Sequence, residues 1–323
     1  MSSVPYSRYL VYPVTWYSFL IVAGAGLAIY LACNEERRQG LPKDTIIDLA
    51  LLILPCGIIG ARIYYVVFSW DQFSEDLFSI FRIWEGGLAV YGGIIFGFIA
   101  LYVFCRKRRL PVLTLCDLIA PGLVLAQGIG RWGNWFNMEA FGPVVTDREL
   151  CFFPIAVQIP ADGYHWHLAT FFYESIWDFS VFLFLVLSRR KLLRKKGDVF
   201  LFYLFLYAAG RLVIEELRTD SLYTVSSVRV SQMLSALFCT VFLFYSLVRN
   251  KKYAYEYHLS GFMLLLTAFF LSAHILFFTC LNSFYSSWTT GERMILLFFS
   301  ALLMSACLIG EKSMEVKNAD NKS

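Results

Sequence analysis

The chain has little charge and little histidine for its length. Of its 323 residues, 16% are charged and only four are histidine, whereas about 25% of a soluble domain is charged. Hydrophobic residues make up 58%, and the mean hydropathy is +0.60. This composition excludes an ordinary soluble globule and predicts a protein with several membrane spans.

Patterns for cofactors and disulfides are also missing. No His-rich or Asp-rich set has the spacing of metal ligands, and no glycine-rich nucleotide loop lies between a strand and a helix. Most of the eight cysteines fall inside apolar runs, so no disulfide framework is expected. We expect no metal and no cofactor. The net charge of +4 is sorted between the two sides of the membrane, and we expect no nucleic-acid partner.

Long apolar runs predict an all-α, polytopic membrane protein. Runs of about 18–25 residues are long enough to span a bilayer. We expect about seven core transmembrane helices followed by two extra C-terminal ones. The predicted spans are 14–33, 46–68, 88–105, 112–128, 168–188, 198–213, 229–248, 259–282 and 292–310.

The distribution of lysine predicts the orientation. All ten lysines lie in alternate connections between the predicted spans or in the tail after Gly310. Because basic residues favour the cytoplasmic side, we expect the N-terminus outside and the C-terminus inside. We expect residues 1–250 to form the functional membrane domain, 251–310 the two extra helices, and 311–323 a disordered cytoplasmic tail.

A polar cluster at 127–142 interrupts the apolar pattern. It holds Arg131, Asn134, Asn137 and Glu139 among glycines and aromatic residues, and it ends at Gly142. Charged groups at membrane depth are costly and usually serve function. We expect Glu139 to pair with Arg131 or another arginine. The alternative is an ion pair that only stabilises helix packing.

A second polar stripe lies on the sixth predicted span. Tyr207, Arg211, Glu215 and Arg218 follow at spacings of four, four and three, so they share one helix face. Such a stripe should face the protein interior or a water-filled cavity. An Arg–Glu pair that satisfies only itself remains the alternative.

Two weaker clusters complete the set. Tyr91 lies between the glycine pairs 86–87 and 92–93, which also suit close helix packing. Arg62 follows Gly60 in the second span, and Glu174 precedes Asp178 by one turn in the fifth. For these residues structural roles are as plausible as functional ones, although Glu174 could orient an arginine.

All these clusters fall in the outer halves of their predicted spans. The planar fork of arginine suits phosphate recognition, and its charge is permanent. A phospholipid headgroup from the outer leaflet is therefore the expected ligand.

These motifs, in this order, resemble prolipoprotein diacylglyceryl transferases over roughly residues 14–250. The stretch from Gly130 to Gly142 (GRWGNWFNMEAFG) is similar to the signature of that family. Trp16-Tyr17, Gly60 to Tyr65, the glycine pairs around Tyr91, Ala169 to Glu174, and Tyr207 to Arg218 resemble its other motifs. Three features depart from the family pattern: Tyr91 replaces a histidine, Ala169 replaces a proline, and two C-terminal spans follow the usual seven.

The resemblance implies an enzyme of the bacterial cell membrane whose active site faces outward. Members transfer the diacylglyceryl group of phosphatidylglycerol to the thiol of the lipobox cysteine in a prolipoprotein signal peptide. A thioether forms and glycerol 1-phosphate leaves. The implied partners are phosphatidylglycerol, prolipoproteins and the lipid bilayer.

The resemblance and the residue types together suggest a role for each candidate. We expect Arg131 and Arg211 to stabilise the phosphate, Glu139 and Glu215 to orient them, and Tyr91 or Tyr207 to accept the thiol proton. Substrate contacts are expected from Tyr17, Arg62, Asn134, Asn137, Gly142 and Glu174.

Two other functions remain open on the sequence. Intramembrane arginines and glycine-broken helices also suit a transporter or channel for an anionic solute or lipid. Alternatively, the replacement of histidine by Tyr91 permits a relative that binds phospholipid but has lost transfer.

Overall fold

The computed structural model describes residues 7–191, 193, 195–219 and, farther along, 231, 234, 235, 237–239 and 242. Helices carry most of this part of the chain. Their bounds are Trp16–Gln39 (α1), Thr45–Phe68 (α2), Val90–Arg108 (α3), Val112–Asn137 (α4), Thr170–Ser188 (α5) and Asp198–Ile214 (α6). Helices α1 to α5 are long and apolar enough to cross a membrane. The predicted polytopic, mainly helical architecture is thus confirmed.

The number of spans stays a prediction. The described helical residues between 231 and 242 fall within the predicted span 229–248. The predicted spans 259–282 and 292–310, and the predicted tail 311–323, lie outside the described residues.

Helix α4 extends past its predicted end at residue 128 to Asn137. The sequence placed the apolar limit at residue 128 because polar residues begin there. Arg131 finds partners on α5 and α6, and the backbone keeps its helical hydrogen bonds. Arg131 therefore stands on a helix.

Two short hairpins supplement the helices, which the all-α prediction did not include. Tyr9–Val11 (β1) pairs antiparallel with Val14–Thr15 (β2). Ala156–Ile159 (β3) pairs antiparallel with His165–Leu168 (β4), and Ala156 lies opposite Leu168. Gly163, with φ of 62°, supplies the left-handed residue in the connecting turn.

The chain divides into two units, Leu27–Gly122 and Met1–Gly26 with Leu123–Ser323. In the unit Leu27–Gly122, α2 packs closely along α3. A Cβ atom at Gly92 would lie 2.3 Å from the carbonyl oxygen of Gly60. The predicted packing role of the glycine pair 92–93 is confirmed at Gly92, because only glycine allows this approach.

In the other unit, close contacts join α1 to α4 and α5 to α6. The ring of Trp16 stacks on Phe136 with centroids 4.8 Å apart. The indole nitrogen of Trp177 on α5 donates to the carbonyl of Leu206 on α6 at 2.9 Å. These contacts fix the helices that carry the polar clusters.

Candidate active site

Three helices bring their polar residues together in the unit that holds α4, α5 and α6. Arg131 lies near the end of α4, Glu174 near the start of α5, and Arg211 near the end of α6. The β3–β4 hairpin connects the first two of these helix ends. The predicted clusters at 127–142 and 207–218 therefore form one site with Glu174.

Glu174 is the centre of an ion cluster. Its side chain is 4% exposed, and its Oε2 lies 2.5 Å from Nε of Arg131. Its Oε1 accepts a hydrogen bond from Nη1 of Arg211 and another from Nη1 of Arg218 at 3.4 Å. A buried carboxylate is stable only when paired and hydrogen-bonded. Arg211 and Arg218 supply the hydrogen bonds, both to Oε1, and Arg131 supplies an ion pair at Oε2.

Glu215 and Tyr207 complete the cluster. Nη2 of Arg211 donates to Oε2 of Glu215, which is buried one turn farther along. Nη2 of Arg131 donates to the hydroxyl oxygen of Tyr207 at 3.4 Å. Arg211 thus bridges two carboxylates. The planar guanidinium of arginine is better suited to this than the ammonium group of lysine.

The charges of this cluster favour an anionic ligand. Three guanidinium groups converge at this cluster, and their planar donors suit an anion. In a dry environment a positive charge attracts an anion strongly. A phosphodiester carries one negative charge and would complement it.

The sequence did not single out the residues that set the spacing between α4 and α5. The indole nitrogen of Trp132 donates to Oγ of Ser175 at 3.0 Å. That hydroxyl in turn donates to the carbonyl of Gly128 at 2.9 Å. These two hydrogen bonds hold Arg131 opposite Glu174. In the sequence, the available signal for this contact was that Ser175 directly follows Glu174, a predicted site residue.

Glu139 does not pair with Arg131 in the structure. It is exposed, and its Oε1 accepts a hydrogen bond from Nδ2 of Asn137 at 2.5 Å. The backbone amide of Glu139 donates to the carbonyl of Asn134 at 3.0 Å. The expectation that Glu139 pairs with Arg131 or another arginine is corrected, since among the described residues it pairs with neither. Glu174 occupies that place, because α5 packs beside α4 whereas Glu139 lies past the helix end.

Gly142 lies at a tightly packed junction. Its amide donates to the carbonyl of Leu168 at 2.9 Å, and a Cβ atom there would lie 2.8 Å from the carbonyl oxygen of Leu217. Its own carbonyl contacts Nδ1 of His167 at 2.8 Å. Gly142 therefore links the β3–β4 hairpin to the segment that follows α6.

Tyr17 packs against the same stretch of α4. A Cβ atom at Gly133 would lie 2.5 Å from Cδ2 of Tyr17. Gly133 thus allows the tyrosine ring to lie directly on the helix backbone.

Arg62 and Tyr91 belong to the unit Leu27–Gly122. Arg62 is buried, and its guanidinium donates to the carbonyls of a loop between α2 and α3. The acceptors are the carbonyl oxygens of Ser79, Ile80, Arg82, Gly86 and Gly87, at 2.6 to 3.5 Å. This pattern favours a structural role for Arg62 in holding the loop. Tyr91, at the start of α3, is 43% exposed.

Comparison with known proteins places the chain among characterised sequences. The sequence model of the prolipoprotein diacylglyceryl transferase family matches residues 7–248. This range includes every candidate site residue and ends where the two extra C-terminal spans are predicted to follow.

Individual relatives carry the corresponding name, phosphatidylglycerol–prolipoprotein diacylglyceryl transferase. The protein from Limosilactobacillus reuteri is 45% identical over 249 residues, which cover 75% of this chain and 89% of the relative. The protein from Streptococcus mutans is 42% identical and covers 76% of this chain and 94% of its own length. The protein from Ligilactobacillus salivarius is 47% identical, with 69% and 84% covered.

Proposed function

The chain belongs to the prolipoprotein diacylglyceryl transferase family, and we propose that it catalyses the transfer for which its relatives are named. The diacylglyceryl group of phosphatidylglycerol passes to the lipobox cysteine thiol of a prolipoprotein, and glycerol 1-phosphate is released. The observation that carries the proposal is the buried cluster of Arg131, Glu174 and Arg211 within the matched region. Such a cluster suits a phosphodiester.

The reaction exchanges one bond for another at the glyceryl carbon. The thiol sulfur forms a C–S bond, and the C–O bond to phosphate breaks with its electron pair on the phosphate oxygen. Negative charge therefore grows on the phosphate. Arg131 and Arg211 stabilise this charge, since preorganised donors in a water-poor site are a large catalytic contribution. Glu174 and Glu215 orient the two guanidinium groups.

Tyr207 is the better placed of the two tyrosines to relay the thiol proton to the departing phosphate oxygen. Its hydroxyl oxygen already accepts a hydrogen bond from Arg131, within the cluster. Tyr91, the other candidate, is exposed. A thiol is also partly ionised near neutral pH, and nearby positive charge increases that fraction. A strong base is then unnecessary, which agrees with the absence of the family histidine at position 91.

The remaining candidates are assigned to the headgroup. Asn134 and Asn137 hydrogen-bond the glycerol hydroxyls, with Glu139 bonded to Asn137. Tyr17 and Gly142 shape the site by packing, whereas Arg62 keeps the structural role of holding its own loop.

The topology proposed from lysine placement fits this chemistry. Seven core spans and two extra ones put the N-terminus outside and the C-terminus inside the bacterial cell membrane. The ion cluster then faces the outer side, where prolipoproteins emerge. Residues 1–250 form the transferase domain, and 251–310 add the two extra helices.

A transfer assay tests the proposal. Purified protein in detergent receives phosphatidylglycerol and a synthetic lipobox peptide, and the peptide mass and glycerol phosphate release are followed. We expect a mass gain of one diacylglyceryl group. No gain from folded protein that binds phosphatidylglycerol would identify an inactive relative, and Tyr91→His would then be tested for restored transfer.

The arginine assignment has its own control. We expect Arg211→Ala to reduce turnover by about 10²–10³. Arg148→Ala, at an exposed position in the loop before β3, should leave turnover near wild type. If Arg211→Ala keeps turnover within tenfold of wild type, the assignment of Arg211 to the phosphate is wrong.

A further inference from the structure

A second polar layer lies one helical turn away from the ion cluster. Each of the three helices carries a polar residue four positions from a cluster residue. In each helix this polar residue lies farther from the helix end at which the cluster is located. Four residues of α-helix rise about 6 Å, so this layer lies about that much deeper in the spans. We call it the ester layer; its members are Gln127 on α4, Asp178 on α5 and Tyr203 on α6.

Tyr203 fixes the amide of Gln127. The buried tyrosine hydroxyl donates to Oε1 of Gln127 at 3.2 Å. This bond uses the acceptor end of the amide, so the Nε2 end remains to donate. Within the described residues, Nε2 has no hydrogen-bond acceptor. The half-buried Gln127 thus presents a donor, and the ring of Tyr203 packs on Tyr207 at 6.0 Å.

Asp178 is a buried acid whose hydrogen-bonding capacity is not satisfied by the part of the chain that the structure describes. It is 2% exposed, and among the described residues its Oδ2 has no hydrogen bond. The charged groups that act on it are Arg131, Arg211 and Glu174, and the hydroxyls of Tyr203 and Tyr207 also lie in its field. A buried polar group without a partner is costly. Its partner is then expected to come from a bound ligand.

We propose that the ester layer binds the two ester carbonyl groups of the diacylglyceryl donor, an inference that rests on the proposed function. Ester carbonyls only accept hydrogen bonds, so the site must supply donors. Nε2 of Gln127 donates to one carbonyl, and the carboxyl group of Asp178, in its protonated form, donates to the other. Tyr203 is a positioning residue that holds the Gln127 amide.

The spacing of the two layers agrees with the ligand. In a phospholipid a few bonds of roughly 1.5 Å each separate the phosphate from the ester carbonyls. A phosphate at Arg131 and Arg211 therefore leaves the carbonyls about one helical turn deeper, at the ester layer. The layer makes the site specific for diacyl lipids.

A comparison of two lipids tests this specificity. Binding of diacyl phosphatidylglycerol and of its dialkyl ether analogue, which lacks both carbonyls, is measured by native mass spectrometry of the full chain. One hydrogen bond is worth about three- to tenfold in affinity, so we expect the wild type to prefer the diacyl lipid by about tenfold or more. Equal affinities would overturn the proposal.

Variants separate binding from packing. Gln127→Leu should reduce the preference for the diacyl lipid by about three- to tenfold, and Tyr203→Phe by less. The control Ser180→Ala, an exposed position on α5, should keep the wild-type preference. If Gln127→Leu keeps the wild-type preference for the diacyl lipid, Gln127 does not bind an ester carbonyl.

Two replacements of Asp178 test whether its carboxyl group donates a hydrogen bond. Asp178→Asn keeps a donor and should keep the preference within about twofold, whereas Asp178→Leu should lower it by about three- to tenfold. An asparagine variant as poor as the leucine variant would show that the carboxyl does not act as a donor.

Transfer is followed on the same preparations. A wild type that transfers the diacyl lipid but shows no ester preference would overturn the ester layer alone. A wild type that prefers the diacyl lipid but transfers nothing would overturn the proposed function alone.

Discussion

Nε of Arg131 lies 2.5 Å from Oε2 of Glu174, although the two residues are on different helices and 43 positions apart in the chain. The same carboxylate also accepts from Arg211 and Arg218. One glutamate thus fixes the positions of three guanidinium groups. The proposed binding of phosphate by this cluster depends on that glutamate.

We expect Glu174→Gln to lower both stability and transfer. Glutamine keeps the shape but not the charge, so the buried arginines lose their main counter-charge, and breaking such a pair costs about 3–5 kcal/mol. Turnover should fall by about 100-fold because the arginines lose their orientation. Thermal unfolding and the transfer assay measure the two effects.

Glu149→Gln is the matched control for this variant. Glu149 is an exposed glutamate in the loop before β3, and its replacement should change neither quantity appreciably. A Glu174→Gln protein as stable and active as that control would contradict the central role of Glu174.

We expect Gly210→Ala to separate α6 from α5. A Cβ atom at this position would lie 2.2 Å from the indole nitrogen of Trp177, so the helices must shift and the bond to Leu206 is lost. Overpacking of this kind costs about 1–3 kcal/mol. Thermal unfolding measures it, and Gly26→Ala is the control because a Cβ atom at Gly26 would meet nothing within 4 Å.

A second replacement distinguishes the steric cause. Trp177→Phe removes the indole nitrogen that the new methyl group would meet, so the double variant should recover part of the lost stability. If the stability lost in the double variant equals the sum of the losses in the two single variants, direct contact is not the cause.

We expect Arg62→Ala to loosen the loop from Ser79 to Gly87. The guanidinium donates to five carbonyls of this loop, each bond being worth about 1 kcal/mol. Hydrogen exchange of the loop amides should become faster. Arg82→Ala removes only exposed ion pairs of the same loop, worth about 0–1 kcal/mol, and should change exchange little. Equal exchange rates in the two variants would contradict the structural role of Arg62.

We expect the β3–β4 hairpin to weaken in acid. The hydrogen bond from His167 to Asp162, at 2.8 Å, holds the pKa of the Asp162 carboxyl below its usual value. A carboxyl whose pKa is lower in the folded state stabilises that state above its unfolded pKa of about 4. The contribution is lost as the pH falls through the lower, folded value.

Hydrogen exchange of residues 156–168 between pH 6 and pH 3 measures this change. We expect Asp162→Asn to remove the part of the acid dependence that comes from this bond. An unchanged acid dependence in the variant would show that the hairpin responds through other groups.

Much of the site was visible in the sequence because charge in an apolar run stands out. Arg131, Arg211, Glu215 and Tyr207 were identified from helical spacing, and the family resemblance is confirmed over residues 7–248. Glu174 was named as able to orient an arginine, but the sequence did not assign it to Arg131. Glu139 is near Arg131 in sequence, but the chain leaves the helix at Asn137 and carries Glu139 to an exposed position.

The sequence alone indicated a membrane protein with several apolar spans, and it indicated the chemical class of the protein. Apolar length and the sorting of lysine are local properties, and they act on each segment separately. The tertiary structure decided which charges meet. Glu174 became the centre of the cluster, and Arg62 became a support for a loop, because pairing depends on how helices pack and not on distance along the chain.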